Sequence, residues 1–212
     1  MFLQRTLTKS PRTELYADLA ELISGVLLVG FLWTHMLFVS AIFLGPEVFD
    51  KLAHFLDEYY LSYVGIPFIL LVAFIHIITA GRRIPNRFRE QKIIWRHAKM
   101  IKHTDTWTWV FQVVTGMAIL VLAGIHVWVV LTDWPISAIK SAMRIESFYL
   151  YFYFVLLLLG EYHAGMGIYR QFVKWGWFKR RSISYVLNVI TLIIVGLGLG
   201  ALYIFRQLGG AL

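Results

Sequence analysis

The sequence predicts an all-α integral membrane protein, a bundle of five transmembrane helices that forms a single domain over residues 1–212. Of the 212 residues, 59% are hydrophobic and only 15% are charged, a balance too apolar for a soluble domain of this length. The hydrophobic residues are also gathered into five continuous blocks. These blocks lack the alternation of apolar and polar residues that a membrane β-barrel needs.

Each block approaches or exceeds the length of about 20 residues that a helix needs to cross the roughly 30 Å hydrocarbon core. In chain order, the predicted spanning helices are Leu19–Leu44, Tyr63–Ala80, Trp107–Leu131, Phe148–Tyr169 and Ile183–Phe205. The first begins too late and runs too long for a cleaved signal peptide, so we expect it in the mature protein.

The basic residues predict the orientation. All but four of the 20 Lys and Arg residues lie in the N-terminal tail, between the second and third helices, or around the loop between the fourth and fifth. Short loops rich in Lys and Arg stay in the cytoplasm. We therefore expect a multi-pass protein of the cell inner (cytoplasmic) membrane, with the N-terminus in the cytoplasm and the C-terminus outside. Because the net charge of +8 follows the membrane topology, it does not indicate a nucleic-acid partner.

Two loops have a composition of their own. The stretch Gly81–Asp105 is strongly basic with Trp95 among the charges, which is typical of an amphipathic helix on the membrane surface or of a docking surface for a cytoplasmic partner. The outer loop Pro46–Ser62 is compatible with a short interfacial helix. The chain has no cysteine, which excludes thiolate-bound iron–sulfur clusters and covalent c-type haem.

Four histidines, His35, His76, His126 and His163, each lie inside a different apolar block. An imidazole in the membrane is costly unless a partner satisfies it. For a single histidine, a hydrogen bond to a neighbouring helix explains it equally well. Four of them on four of the five helices favour a role as cofactor ligands.

Two of these histidines lie close to the cytoplasmic face. His76 comes six residues before Arg82, and His163 comes seven residues before Arg170. These separations correspond to about 9 and 10 Å of helical rise. The two imidazoles are therefore expected at the same depth.

His35 and His126 lie near the outer face, roughly 24 and 28 Å along their outward-running helices. The four histidines thus form two couples at two depths. A bis-histidine haem takes one axial imidazole from each side of its iron, so its ligands come from different helices at matching heights. The spacing predicts two b-type haems. On the cytoplasmic side, Lys174 and Trp109 are candidates to contact propionates of the inner haem. The alternative is that Lys174 is a snorkelling lysine and Trp109 a tryptophan of the aromatic belt.

The segments around these histidines resemble the membrane-anchor cytochrome b of fumarate reductases that carry two haems. The matching stretches are THMLFVSAIFLG around His35, GRRIPNRFR after His76, WVFQVVTGMAILVLAGIHVW around His126 and EYHAGMGIYRQFVKWGWF around His163. The resemblance covers most of the chain.

The resemblance implies a heterotrimer in which a flavoprotein subunit reduces fumarate in the cytoplasm and an iron–sulfur subunit links it to this anchor. It implies His35 and His126 as ligands of the distal haem and His76 and His163 as ligands of the proximal haem. Menaquinol is the implied donor, oxidised near the distal haem. Trp109 and Lys174 match positions that contact the proximal-haem propionates, whereas Glu21 and Leu22 stand where relatives have polar propionate partners.

Three acids are candidates for the protons that quinol oxidation releases. The resemblance implies a quinol-site glutamate in the outer loop, where Asp57 and Glu58 lie, although either can also be a solvated loop acid. Apart from Glu21 near the start of the first block, Glu161 is the one acid inside an apolar block, and it lies about 200° around the helix from His163. The resemblance links Glu161 to transmembrane proton movement, and a neutral acid bonded to a carbonyl is the alternative.

Other functions remain compatible with parts of this pattern. One alternative is that the same anchor belongs to a succinate:quinone reductase. Another is that it is the b-type cytochrome subunit of another quinone-linked dehydrogenase. A proton or metal transporter would place its ligands at one depth along a polar path, unlike the two depths found here.

Overall fold

The computed structural model describes residues 11–84, 87–101 and 104–211, and every element in these ranges is helical. The α-helices are α1 (Pro11–Val39), α2 (Pro46–Glu58), α3 (Leu61–Gly81), α4 (Phe88–Ile101), α5 (Thr104–Thr132), α6 (Ala138–Arg144), α7 (Leu150–Lys174) and α8 (Arg180–Gly209). A 3-10 turn, Ser40–Leu44, extends α1, and a π-helical turn, Ile145–Tyr149, joins α6 to α7.

Four of the five predicted spans are confirmed as helices long and apolar enough to cross a membrane. They are Arg12–Leu44, Leu61–Gly81, Thr106–Thr132 and Arg180–Gly209. The fourth predicted block, Phe148–Tyr169, covers the end of the π-helical turn and most of α7, a helix of 25 residues. The polar Glu161 and His163 lower the apolar character of α7, so its crossing of the membrane stays a prediction.

Large apolar side chains point away from the protein along these helices. Leu71, Phe74, Val121 and Leu192 are all more than half exposed. Such an apolar surface is unfavourable in water and suited to contact with lipid tails, where the helices satisfy their own backbone hydrogen bonds.

The long helices pack in pairs, α1 with α3 and α5 with α7, while α8 lies against both α1 and α7. Two buried clusters hold α8 in place. The inner cluster contains Val29, Ala164, Ile168, Ile183 and Leu187, and the outer cluster contains Ile42, Ala138, Ala142, Ile145, Ala201 and Phe205. We call the end of the bundle near Arg82 and Lys174 the inner end, and the opposite end the outer end.

The two loops with a composition of their own both contain helices. The outer loop forms α2, and Asp50 on α2 accepts a hydrogen bond of 2.7 Å from the backbone N–H of Ala138, which ties α2 to α6. The basic loop forms α4, where Trp95 packs edge-on against Trp107 at 5.6 Å. The predicted helices are present, and the location of α4 on the membrane surface stays a prediction.

Candidate functional site

The outer couple of histidines comes together between α1 and α5. The ring centroids of His35 and His126 are 6.1 Å apart, and the ring planes are inclined by 59°. Phe31 stacks on His35 at 5.6 Å, one helical turn away. On the other side, the hydroxyl of Tyr153 lies 3.4 Å from Nδ1 of His126. Aromatic side chains thus hold both imidazoles.

The spacing of the outer couple fits a metal ion between the two rings. An imidazole nitrogen bonds a first-row metal such as zinc at about 2 Å, so two imidazoles on opposite sides of one ion have centroids roughly 6 Å apart. In the described ranges, no group of three or more His, Asp or Glu side chains gathers to hold a metal ion. A haem iron needs only two protein ligands, because the porphyrin supplies the other four.

The inner couple has one histidine on α3, His76, and one on α7, His163. Each imidazole meets a hydroxyl on a neighbouring helix. Ser24 Oγ on α1 lies 3.2 Å from Nδ1 of His76, and Thr115 Oγ1 on α5 lies 3.1 Å from Nδ1 of His163.

These contacts favour one tautomer of each inner histidine. The hydroxyl of Ser24 donates to the carbonyl of Ala20 at 2.6 Å, and the hydroxyl of Thr115 donates to the carbonyl of Phe111 at 2.7 Å. Since each hydroxyl hydrogen is used in this way, the oxygen is left to accept a hydrogen bond from the imidazole. The proton is then on Nδ1, and the lone pair of Nε2 is available to a metal.

A glycine follows each of these hydroxyl residues and makes room for the ring. A Cβ on Gly25 would lie 3.3 Å from Cε1 of His76, and a Cβ on Gly116 would lie 2.9 Å from Cε1 of His163. The latter distance is too short for any side chain unless the ring moves. The backbones of α1 and α5 therefore form cradles for the two inner imidazoles.

Beyond the inner couple, three helix ends meet in a network of charges. Asp18 on α1 accepts hydrogen bonds from Arg82, Arg83 and Lys174, the last at 2.6 Å. Glu21, with only 9% of its surface exposed, accepts a hydrogen bond of 2.9 Å from Gln171. The network joins α1, α3 and α7 at the inner end.

Two donors near this network have no hydrogen-bond partner among the described residues. They are Nε1 of Trp175 and Nε of Arg82, and both atoms are buried. A buried unpaired donor is costly. Both atoms can donate a hydrogen bond to a carboxylate group. Trp109, the tryptophan predicted to act with Lys174, is half-buried near the start of α5.

Glu161 is buried on a different side of α7. Its side chain, 1% exposed, accepts hydrogen bonds from Nε1 of Trp33 at 3.2 Å and from Oγ1 of Thr191 at 2.9 Å. These donors lie on α1 and α8, whereas the partner of His163 lies on α5. The predicted separation of Glu161 from the histidine face agrees with this arrangement.

Comparison with known proteins identifies the family. The profile described as "Succinate dehydrogenase/Fumarate reductase transmembrane subunit" matches residues 89–200. The fumarate reductase cytochrome b subunit of Helicobacter pylori is 32% identical, over 93% of this chain and 84% of the relative. The chain belongs to this family of transmembrane subunits.

Other relatives of this transmembrane subunit come from both branches of the family. The fumarate reductase cytochrome b subunit of Wolinella succinogenes is 29% identical, over 90% of this chain and 81% of the relative. The succinate dehydrogenase cytochrome b558 subunit of Bacillus subtilis is 26% identical, over 92% of this chain and 99% of the relative. The predicted family is thereby confirmed, and the transmembrane subunit is an integral membrane protein.

Ser24 and Thr115, the hydroxyl residues of this transmembrane subunit, were not predicted from the sequence. A spacing in the sequence points to both residues. Ser24 precedes His35 by eleven residues and Thr115 precedes His126 by eleven residues, and a glycine follows each hydroxyl residue. The pattern places an outer histidine and an inner cradle on the same helix, once in α1 and once in α5. Trp175, which was also not predicted, lies in the run VKWGWF that carries part of the family resemblance.

The two outer acids of the transmembrane subunit lie at the end of α2. The side chain of Glu58 is 61% exposed and lies 3.6 Å from Nδ1 of His54, while Asp57 is half-buried. Their assignment to a quinol site stays a prediction.

Proposed function

We propose that this protein is the cytochrome b anchor of a fumarate reductase complex. In this role it oxidises menaquinol near the outer end and passes the electrons through two b haems to an iron–sulfur subunit. The observation that carries the proposal is the position of the four histidines: His35 and His126 lie side by side towards the outer end, and His76 and His163 each lie against a hydroxyl closer to the inner end. The relatives named fumarate reductase cytochrome b subunits support it.

In this proposal His35 and His126 hold the distal haem, and His76 and His163 hold the proximal haem. The bound haems supply one-electron redox centres. Ser24 and Thr115 keep the inner imidazoles in the tautomer that presents Nε2, because a second hydrogen bond fixes both the proton and the ring plane. The apolar helices keep water away from both couples.

The propionates of the proximal haem have three candidate partners at the inner end. Lys174 and Trp109 come from the family resemblance, and Trp175 is added because its buried indole N–H lacks an acceptor in the described part of the chain. Lys174 now pairs with Asp18 at 2.6 Å. A propionate beside Lys174 would share this cation with Asp18, because the ammonium group can donate a charge-assisted hydrogen bond to each carboxylate.

Protons have to move as well as electrons. Menaquinol oxidation releases protons at the outer end, which requires a base within hydrogen-bond reach of the quinol. The family resemblance makes Asp57 and Glu58 the candidates for this base. Glu161 is the proposed site for a proton that crosses inward and balances the charge of the electrons, with Trp33 and Thr191 orienting its carboxyl group.

The inner end is the proposed docking side for the iron–sulfur and flavoprotein subunits, with the N-terminus in the cytoplasm and the C-terminus outside. The cluster of Arg82, Arg83 and Lys174 at one end of the bundle supports this orientation. We also propose that residues 1–212 form one domain in the inner membrane. The flavoprotein, and not this chain, reduces fumarate.

The same anchor working as a succinate:quinone reductase is the second candidate. The Bacillus subtilis relative, named a succinate dehydrogenase subunit, favours it. Greater identity to the fumarate reductase subunits, 32% and 29% against 26%, favours the first candidate.

The test uses the purified complex of this chain with its partner subunits. We expect 2,3-dimethyl-1,4-naphthoquinol, a soluble menaquinol, to reduce the b haems and to support fumarate reduction. Reduced benzyl viologen, which delivers electrons without the quinol site, is the control donor. Fumarate reduction by viologen in a complex whose haems do not respond to the quinol would contradict the proposal. Faster succinate oxidation with naphthoquinone than the reverse reaction would favour the second candidate.

A further inference from the structure

The basic helix α4 lies at the level where the chain enters the membrane. Trp95, in the middle of this 14-residue helix, packs against Trp107 at 5.6 Å, and the spanning segment of α5 begins at Thr106. Ile101, the last residue of α4, is three peptide bonds from Thr104, the first residue of α5. Their Cα atoms are therefore at most about 11 Å apart. The middle and the end of α4 both lie close to the membrane boundary.

One face of α4 carries a stripe of basic side chains, which we call the α4 stripe. Its members are separated by three or four residues, a spacing that keeps them within about 80° of each other around the helix. All of them are exposed, and they are Arg89, Lys92, Arg96 and Lys99. The opposite face of α4 carries Ala98, which is fully buried, and the half-buried Ile94. The stripe therefore faces away from the rest of the protein.

The α4 stripe differs from the charge network around Asp18 in its lack of acidic partners. In that network Arg82, Arg83 and Lys174 each form an ion pair with Asp18. Within residues 11–84, 87–101 and 104–211, none of the stripe residues forms an ion pair with an acidic side chain. Lys99 lies over the ring of Trp95 at 5.4 Å, a contact that brings no negative charge. The positive charges of the stripe are thus available to an anion from outside the chain.

Exposed apolar side chains border the α4 stripe on both sides. Ile93 and Met100, which are 45% and 68% exposed, lie along one edge, and Trp95, 46% exposed, lies along the other. In an interfacial helix, basic groups contact lipid phosphates while neighbouring apolar groups enter the boundary between headgroups and acyl chains. An indole is suited to this level because its ring is apolar and its N–H is polar. The surface of α4 matches a headgroup layer that contains negatively charged lipids.

The composition of the α4 stripe favours lipid over a protein partner. Two of its four members, Lys92 and Lys99, are lysines, and lysine is depleted in protein–protein interfaces. The Asp18 network, which joins α1, α3 and α7, belongs to the end at which the partner subunits are proposed to dock. In contrast, α4 contacts the start of α5 at the membrane boundary, where lipid headgroups are the neighbouring anions.

We propose that the α4 stripe binds the phosphate groups of anionic lipids, such as phosphatidylglycerol, in the leaflet at the inner end. Each Lys or Arg close to an anionic membrane surface strengthens binding by about fivefold. The apolar edges of the stripe hold α4 in the plane of the membrane. The inference adds a lipid site to the proposed function and does not depend on the haems or on the direction of the reaction.

Photolabelling locates the lipid without relying on turnover. The purified complex is placed in phosphatidylcholine nanodiscs that contain a small fraction of photoreactive phosphatidylglycerol, or of photoreactive phosphatidylcholine as the control lipid. Labelled peptides are identified by mass spectrometry after photolysis. We expect phosphatidylglycerol to label residues 87–101 at least as strongly as any other segment, and phosphatidylcholine to label them about tenfold less. Inorganic phosphate should not compete with the lipid.

Paired variants test the charge of the α4 stripe. Lys92→Gln/Arg96→Gln removes two positive charges, so labelling of residues 87–101 by phosphatidylglycerol should fall by about 25-fold. Lys51→Gln/Arg206→Gln removes two exposed charges at the outer end and should leave this labelling unchanged. Unchanged haem spectra in both variants show that the bundle is intact.

Several outcomes would overturn the lipid site. They are equal labelling of α4 by the two lipids, displacement of phosphatidylglycerol by inorganic phosphate, and unchanged labelling in Lys92→Gln/Arg96→Gln. Loss of the partner subunits from this variant, with unchanged lipid labelling, would assign α4 to protein docking instead. None of these outcomes affects the proposed function, which is tested by reduction of the haems with the quinol.

Discussion

Thr115 Oγ1 lies 3.1 Å from Nδ1 of His163, and its own hydrogen is donated to a backbone carbonyl of its helix. The same relationship recurs between Ser24 and His76. One helix thus carries the imidazole, and a neighbouring helix fixes its proton. If the imidazoles hold a haem iron, these hydroxyls set the orientation and the basicity of both ligands.

Removing the two hydroxyls should change the inner haem, proposed at His76 and His163, and leave the outer haem, proposed at His35 and His126, unaltered. The net value of one such hydrogen bond is about 1 kcal/mol, which corresponds to roughly 40 mV for a one-electron centre. Without the acceptor, each imidazole donates less electron density to iron. We therefore expect Thr115→Ala and Ser24→Ala each to raise the potential of the inner haem, as measured by redox titration of the haem absorbance.

Conservative exchanges provide the control for these variants. Thr115→Ser and Ser24→Thr keep the hydroxyl and should keep the potential of the inner haem. Equal shifts of both haems in Thr115→Ala would show that the hydroxyl acts on the whole bundle and not on His163.

The cradle glycines should be as sensitive as the ligands. In Gly116→Ala the new Cβ would lie 2.9 Å from Cε1 of His163, so the imidazole has to move from its position. We expect this variant to lose the inner haem. If the unmodified protein binds two haems, the haem content per chain should fall by about half. In the matched variant Gly196→Ala, on α8, the added methyl group meets open space. Equal haem content in the two variants would rule out the cradle.

Glu161→Gln should separate proton movement from electron transfer. The amide can keep the contacts with Trp33 and Thr191 but cannot carry a proton as a carboxyl group does. We expect quinol-driven fumarate reduction to fall by about 100-fold, with unchanged haem spectra and unchanged viologen-driven activity. Glu47→Gln, a change at an exposed acid on α2, is the control. Normal quinol-driven turnover in Glu161→Gln would remove Glu161 from the mechanism.

The helices and the depths of the four histidines can be predicted from the sequence, because the length and polarity of each block encode them directly. An apolar block that ends at Ala80, just before Arg82, predicts both the end of a helix and the depth of His76. The two depths follow from residue counts alone. These predictions do not depend on how each helix is rotated about its axis.

Contacts between helices are the part that sequence patterns do not determine. The pairing of Asp18 with Lys174 and of Glu161 with Trp33 and Thr191 depends on the rotation of each helix. A rotation of one residue position, about 100°, would bring different side chains together. The placement of α6 and the π-helical turn is likewise not predicted, since neither has a hydrophobic pattern strong enough to reveal it.

Replacing one histidine from each couple should remove one haem at a time. We expect His126→Ala to retain the haem of the inner couple and His163→Ala to retain the haem of the outer couple, because the two couples share no ligand. The potentials of the remaining haems, measured by redox titration, should differ between the two variants. Identical residual spectra and potentials would show that the four histidines serve a single site.

The number of haems per chain tests the central claim most directly. Two imidazole couples predict two b-type haems per chain in the purified complex, counted by the pyridine haemochrome assay against the protein concentration. One haem per chain, or none, would contradict the account.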